Sequence, residues 1–234
     1  MGTGKRIWEL DAVRGIAILA VLVVHAFYYL DRSSSLIITW SGFSLWVKQY
    51  AGVFFVILSG LCASLGTKST RRGWIVLACG FILTAATSIL FLCGIESESI
   101  LIQWGVLHLI GFSMLVYGLF RKLPDGLLLV ISLAVIVIGY YLYFNVRVES
   151  RWLFPIGLRP DPFYSMDWFP IFPHLGWFLL GSLIGKCLYK NKESLLNWKF
   201  SKSSAAKFLC FCGRNSLIIY MLHHPVFYCI ANLI

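Results

Sequence analysis

Charge is what this sequence has least of. Of its 234 residues only 13% are Asp, Glu, Lys or Arg, and the acids number just 10. A soluble domain carries about 25% charged residues. The shortage excludes a soluble globular enzyme. It also excludes a disordered chain, which needs high charge and few apolar residues. Ligand-spaced cysteines are missing too. The cysteines (Cys62, Cys79, Cys93, Cys187, Cys210, Cys212 and Cys229) lie mostly within apolar runs. Only Cys210-x-Cys212 is closely spaced, so no metal is expected at cysteine and a disulfide scaffold is excluded. There is no internal repeat and no low-complexity tract. Lys5 and Arg6 precede the first apolar run, but no small-x-small site follows Val24-His25-Ala26-Phe27-Tyr28. That run is therefore expected to stay as a helix rather than be cleaved as a signal peptide.

What remains is apolar. Hydrophobic residues make up 59% of the chain, and the mean hydropathy is +0.80. The class is an integral membrane protein, all-α, in a lipid bilayer. A spanning helix needs roughly 20 apolar residues. Seven stretches qualify: 12–30, 43–66, 73–93, 100–120, 126–144, 171–189 and 208–233. The reading is a single transmembrane domain over 1–234, with one sizeable outer segment at about 145–170. Gly181-x-x-x-Gly185 in the sixth stretch suits close helix packing.

The net charge of +10 would suggest nucleic acid in a soluble protein. Here it sets topology instead, and no nucleic-acid partner is expected. The N-terminus and loops 67–72, 121–125 and 190–207, with adjacent helix ends, hold most of the basic residues. They include Lys5, Arg6, Arg14, Lys68, Arg71, Arg72, Arg121, Lys122, Lys186, Lys190, Lys192, Lys199, Lys202 and Lys207. The opposite loops hold only Arg32, Lys48, Arg147, Arg151 and Arg159, among several acids. The positive-inside rule then puts the N-terminus in the cytoplasm and the C-terminus outside. Trp8, Trp74 and Trp198 fall near the inner interface. Trp40, Trp46, Trp104, Trp152, Trp168 and Trp177 fall near the outer one.

Ionisable residues inside a span cost roughly 2.5 kcal/mol or more each and so mark candidate sites. The first stretch carries Arg14 and His25, with Asp11 just before. Eleven residues place Arg14 and His25 within about 20° on one face and roughly 16 Å apart along the axis. Asp11 lies one turn before Arg14 and can pair with it. His108, His174, His223 and His224 also fall at middle-to-outer depth. Residues 145–173 hold Pro155, Pro160, Pro162, Pro170 and Pro173, which exclude a regular helix there. Trp152, Phe154, Phe163, Tyr164 and Trp168 accompany Arg147, Arg151, Arg159, Asp161 and Asp167. Rings beside charges suit a sugar; a proline-stiffened interfacial cap is the alternative.

The stripe suits a donor that is charged at one end and slender at the other. Acyl-coenzyme A has that shape. Its phosphates would rest near Arg14, helped by Arg71, Arg72 or Arg121, and its thioester would reach His25. His25 then serves as general base or as acyl carrier.

Several ordered runs resemble one family. They are Trp8-Glu9-Leu10-Asp11-Ala12-Val13-Arg14-Gly15 with His25, Phe54-Phe55-Val56-Ile57-Leu58-Ser59-Gly60, and Gly105-Val106-Leu107-His108-Leu109-Ile110-Gly111. Asp167-Trp168-Phe169-Pro170 and Gly213-Arg214-Asn215-Ser216-Leu217, ending at His223-His224-Pro225, complete the set. Together the chain resembles the heparan-α-glucosaminide N-acetyltransferase catalytic-domain family, in its short bacterial form. The Arg14-x10-His25 spacing is also similar to the membrane-bound sugar O-acyltransferases. The resemblance implies acetyl transfer from cytosolic acetyl-CoA to an amino-sugar or glycan acceptor across the plasma membrane, by a homodimer. In the lysosomal relatives a histidine follows the first helix; the loop Asp31–Gly42 has none. The expected catalytic set is His25, His108, Asp167 and His223. The expected CoA-binding set is Asp11, Arg14, Arg71, Arg72 and Arg121, with no metal. An O-acyltransferase of envelope polysaccharide and a non-enzymatic transporter or lipid-binding protein are the rival readings.

Overall fold

The computed structural model describes residues 7–33, 41–196, 201–231 and 233. Lys5, Arg6, Trp40, Trp198 and Lys199, and the side chains of Asp31, Arg32 and Lys48, lie outside the described residues. Among the described residues the helices are α1 (Trp8–Ser33), α2 (Gly42–Leu65), α3 (Ser69–Leu92), α4 (Val106–Phe120), α5 (Asp125–Asn145), α6 (Ile171–Leu188), α7 (Ser204–Arg214) and α8 (Ser216–Ala231). A 3-10 turn covers Glu98–Ile100. No β-strand occurs among the described residues; Trp104 and Trp168 form an isolated bridge.

The protein is a membrane protein, with four to five candidate spans among the described residues by length and composition. Residues Trp8–Leu30 of α1, and all of α3, α5 and α6, are long and apolar enough to cross. The α7–α8 pair adds a fifth if it is one span, broken by an 80° bend. Tyr50–Leu65 and α4 are shorter apolar helices. Each of the seven apolar stretches thus contains a helix, but two of these helices are short and one stretch is broken. The outward faces of α3 (Trp74, Ile82, Ile89, Leu92) and α5 (Val130, Val137, Tyr141, Phe144) are exposed and apolar. A bilayer solvates such faces; water does not.

The chain divides into two compact units, Met1–Phe55 with Tyr189–Ile234, and Val56–Leu188. The first unit rests on α1 crossing α7. Its close approach needs glycine twice. A Cβ on Gly15 would lie 2.0 Å from the Leu209 carbonyl oxygen, and one on Gly213 would lie 1.8 Å from that of Asp11. Buried Glu9 ties residues 194–195 to the first turn of α1, accepting from Ser194 Oγ and from the Leu195 amide at 2.7 Å.

In the second unit α3 and α4 run antiparallel, with Gly80 against His108 and Gly118 against Thr70. The end of α2 packs along α6 through the Gly181-x-x-x-Gly185 pair. Cβ atoms there would meet the Ile57 and Leu61 carbonyl oxygens at 2.0 and 2.7 Å, so the expected close packing is present. Lys186 closes one end of this unit, donating to the Arg121 carbonyl at 3.3 Å and pairing with Asp125 at 3.1 Å. Arg71, Arg72 and Arg121 therefore share that end. Residues 94–105 and 145–170 share the other.

Candidate functional site

The first unit gathers three histidines. His25 lies on α1, and Tyr29 follows one turn later on the same face. On α8, Tyr220, His223, His224 and Phe227 recur at the spacing of one helix face. These two faces meet. The His25 ring lies 4.8 Å from His223 and 4.9 Å from His224, centroid to centroid, and edge-on to both. His223 and His224 are themselves 4.0 Å apart and buried. The His223 Nδ1 donates to the Tyr220 carbonyl. The His224 Nδ1 meets the Tyr29 hydroxyl at 3.3 Å. Among the described residues, His223 Nε2 and His224 Nε2 are both buried without a hydrogen-bond partner.

Arg14 stands on the same helix, about three turns before His25. Its guanidinium donates to Ser216 Oγ at 2.9 Å. Ser216 opens α8, immediately after the bend at Asn215. One helix thus carries both a cation tied to the start of α8 and an imidazole set against its middle. The sequence brought out Arg14, His25 and His223 but left His224 out of the expected catalytic set, and it missed Tyr29 and Ser216. The four-residue step from His25 to Tyr29 was the available signal.

The second unit holds His108 and Asp167, and here backbone accounting explains their roles. The fourth apolar stretch was expected to be helical from residue 100. It begins as extended chain instead, and α4 starts only at Val106. Extended backbone inside lipid must find partners within the protein. Leu101 O accepts from the Met166 amide at 2.9 Å. The Ile102 amide and carbonyl are met by Thr87 Oγ1 and Thr84 Oγ1 at 3.2 and 2.6 Å. The Gln103 amide donates to Ser165 Oγ, and Trp104 O accepts from the Phe169 amide. The Gly105 amide donates to His108 Nδ1 at 3.2 Å, and the Val106 amide to Asp167 Oδ2 at 2.9 Å.

Two consequences follow. With Nδ1 accepting, the His108 proton sits on Nε2, which meets Thr84 Oγ1 at 3.2 Å. Both ring nitrogens are engaged by the fold. Asp167, buried, caps the positive end of α4. A Cβ at Gly105 would come within 2.3 Å of its Oδ2, so glycine there admits the carboxylate. Asp167→Ala leaves the Val106 amide unmet and should cost about 1–3 kcal/mol. A lowered melting temperature in detergent checks this; an unchanged melt would refute the cap.

Residues 146–170 contain no helix, as their prolines required, but the exclusion does not reach 173: α6 already begins at Ile171 and takes in Pro173 next to the non-helical Phe172. Much of its aromatic surface is spent internally. Phe163 packs on Phe154 and Trp168. Arg159 lies over Tyr143 and Trp168, at 5.3 and 5.8 Å from the ring centres. Trp152 and Tyr164 stay outside, 86% and 52% exposed. His174 donates to the Pro170 carbonyl at 3.0 Å and leans on Phe169. Arg71, Arg72 and Arg121 are exposed at the opposite end.

No curated protein and no solved structure matches the chain. The family model described as heparan-alpha-glucosaminide N-acetyltransferase, catalytic, matches residues 6–225, nearly its whole length. The match takes in α1 with Arg14 and His25, the capped start of α4, and α8 through His223 and His224. This membrane chain belongs to the heparan-alpha-glucosaminide N-acetyltransferase catalytic family, and is of acyltransferase type.

Proposed function

We propose that the protein moves an acetyl group from cytosolic acetyl-CoA to the amine of a glucosamine-type sugar on the far side of the plasma membrane. The observation that carries this is the layout of α1: Arg14 bonded to the start of α8, and His25 set among imidazoles farther along the same face. Roughly 16 Å of helix separates them. That suits a donor whose phosphates stay at one end while its pantetheine arm extends to the other.

The transfer balances simply. The acceptor nitrogen attacks the thioester carbonyl; an N–C bond forms and the C–S bond breaks. His25 takes the amine proton and returns it to the departing sulfur, which leaves as the CoA thiol. His223, in edge contact with His25, fixes the ring and the polarity around it. Arg14, with Asp11 one turn before, receives the phosphates. The sequence supports Arg71, Arg72 and Arg121 as further basic residues for the nucleotide. His108 and Asp167 are positioning residues, holding the end of α4 under the 145–170 segment, which we assign to the acceptor. Exposed Trp152 offers it a stacking face.

The same reading keeps seven spans over a single functional domain, 1–234, with the N-terminus in the cytoplasm. The extended residues before α4 lengthen that crossing. Amphipathic α7, with Lys207 and Arg214, lies in the inner interface. The homodimer and the choice of the plasma membrane come from family resemblance.

The test is acetyl transfer by purified protein from labelled acetyl-CoA to glucosamine. No transfer to any amino sugar, with transfer to a hydroxyl acceptor, would replace the reading with O-acylation. Absence of acetyl-CoA binding would replace it with a transporter. Arg14→Ala should raise the KM for acetyl-CoA at least about tenfold with little change in kcat, as expected for loss of a charged hydrogen bond to phosphate. An unchanged KM would remove Arg14 from the donor site.

A further inference from the structure

The three-histidine cluster has a property that acetyl transfer does not use. Each of His25, His223 and His224 offers one ring nitrogen, and the three atoms lie within 4.8 Å of one another. The two from α8 belong to rings whose outer nitrogens are already oriented. Tyr220 O accepts from His223 Nδ1, and the Tyr29 hydroxyl meets His224 Nδ1. Metal-ligating histidines are fixed in a similar way, with one nitrogen held by a carbonyl or hydroxyl and the other available to the metal. The remaining ring nitrogens, His223 Nε2 and His224 Nε2, are buried with no hydrogen-bond partner among the described residues. Two orphaned ring nitrogens in one spot would ordinarily cost about 1–3 kcal/mol each. A bound cation would satisfy both.

We propose that His25, His223 and His224 bind a divalent transition-metal ion of the zinc class. The donor set selects the ion. Imidazole nitrogen suits zinc, copper or nickel; magnesium and calcium need oxygen ligands, and the cluster contains no carboxylate. Zinc–nitrogen bonds of about 2.0–2.1 Å place tetrahedral ligands roughly 3.3 Å apart. The widest pair must therefore close by about 1.5 Å, within reach of small ring rotations. Three ligands leave the fourth position open.

The metal site stands on its own geometry, but one consequence rests on the acetyltransferase reading. A metal ion takes the lone pair of His25 that the transfer needs. Metal binding and acetyl transfer then exclude each other, and zinc inhibits the enzyme.

The experiment uses full-length, tag-free protein in detergent with its thiols alkylated. Cobalt(II) chloride is titrated while the visible absorption is followed, and zinc chloride is then added to displace it. The expected result is an intense tetrahedral cobalt band saturating at one equivalent and lost on adding zinc. Wild-type protein without that band overturns the proposal, whatever the variants do. His223→Ala and His224→Ala should each weaken binding at least about 100-fold, and Tyr29→Phe about tenfold. His174→Ala should leave it intact; equal loss there would mean that the triad is not the site. Acetyl transfer measured alongside should fall with the same zinc dependence. Full binding with undiminished transfer would leave the metal site in place and remove His25 from the chemistry instead.

Discussion

His25→Ala should abolish acetyl transfer while leaving acetyl-CoA bound. The expected loss in kcat is about 10²–10⁴-fold, the usual worth of a positioned general base. The KM for acetyl-CoA should barely move, because the residue proposed for the phosphates is Arg14, about three turns away on the helix. That split separates His25 from Arg14, whose loss raises KM instead. His223 is the natural candidate to substitute, since its ring is 4.8 Å from that of His25. Its Nδ1 is committed to the Tyr220 carbonyl, however, and its fixed ring cannot swing into the place of His25. His223→Ala should therefore be milder than His25→Ala, acting through the orientation of its neighbour. The measurement is single-turnover transfer from labelled acetyl-CoA by both variants. Wild-type rates in His25→Ala would end the assignment. Equal losses in both variants would mean that the pair acts as one unit and would move the role to the cluster.

The sequence shows the membrane class, the helical stretches and the family because these depend on composition and on ordered motifs. The stripe joining Arg14 to His25 was legible because helix periodicity is fixed, and α1 is one unbroken helix. Two features were not legible. The fourth stretch is apolar from Ile100 onward, and hydropathy cannot distinguish helix from extended chain. What stops the helix short of Ile100 is a set of hydroxyls on α3, Thr84 and Thr87, with Ser165 and Asp167 far along the chain. The seventh stretch looked like one span. Its 80° bend falls at Asn215, where no proline marks it; Pro225 lies within α8 and does not end it. Intramembrane charge singled out His108, but that rule does not say whether a ring serves chemistry or backbone. Its two hydrogen bonds within the fold, which support the positioning role proposed for it, needed the tertiary structure.

Gly213→Ala should destabilise the protein and disable it together. The added Cβ would lie 1.8 Å from the Asp11 carbonyl oxygen, and that atom belongs to a helix backbone. No side-chain rotation relieves such a clash; α1 and α7 must move apart. Overpacking of this kind costs about 1–3 kcal/mol or more. The displacement does not stay local. α7 continues through Asn215 into α8, and α8 carries Ser216 against Arg14 and both histidines against His25. Moving α7 off α1 shifts those partners together. A misplacement of about 1 Å at reacting groups costs on the order of 10²-fold in rate. Gly126→Ala is the matched control, because nothing lies within 4 Å of its added Cβ. The melting temperature should fall in Gly213→Ala and hold in Gly126→Ala. Residual transfer by the folded fraction of Gly213→Ala should be about 10²-fold down, with acetyl-CoA affinity weakened through Arg14. A stable, fully active Gly213→Ala would mean that the α1–α7 contact does not set the register of α8, and that the histidine cluster is held in place by its own packing.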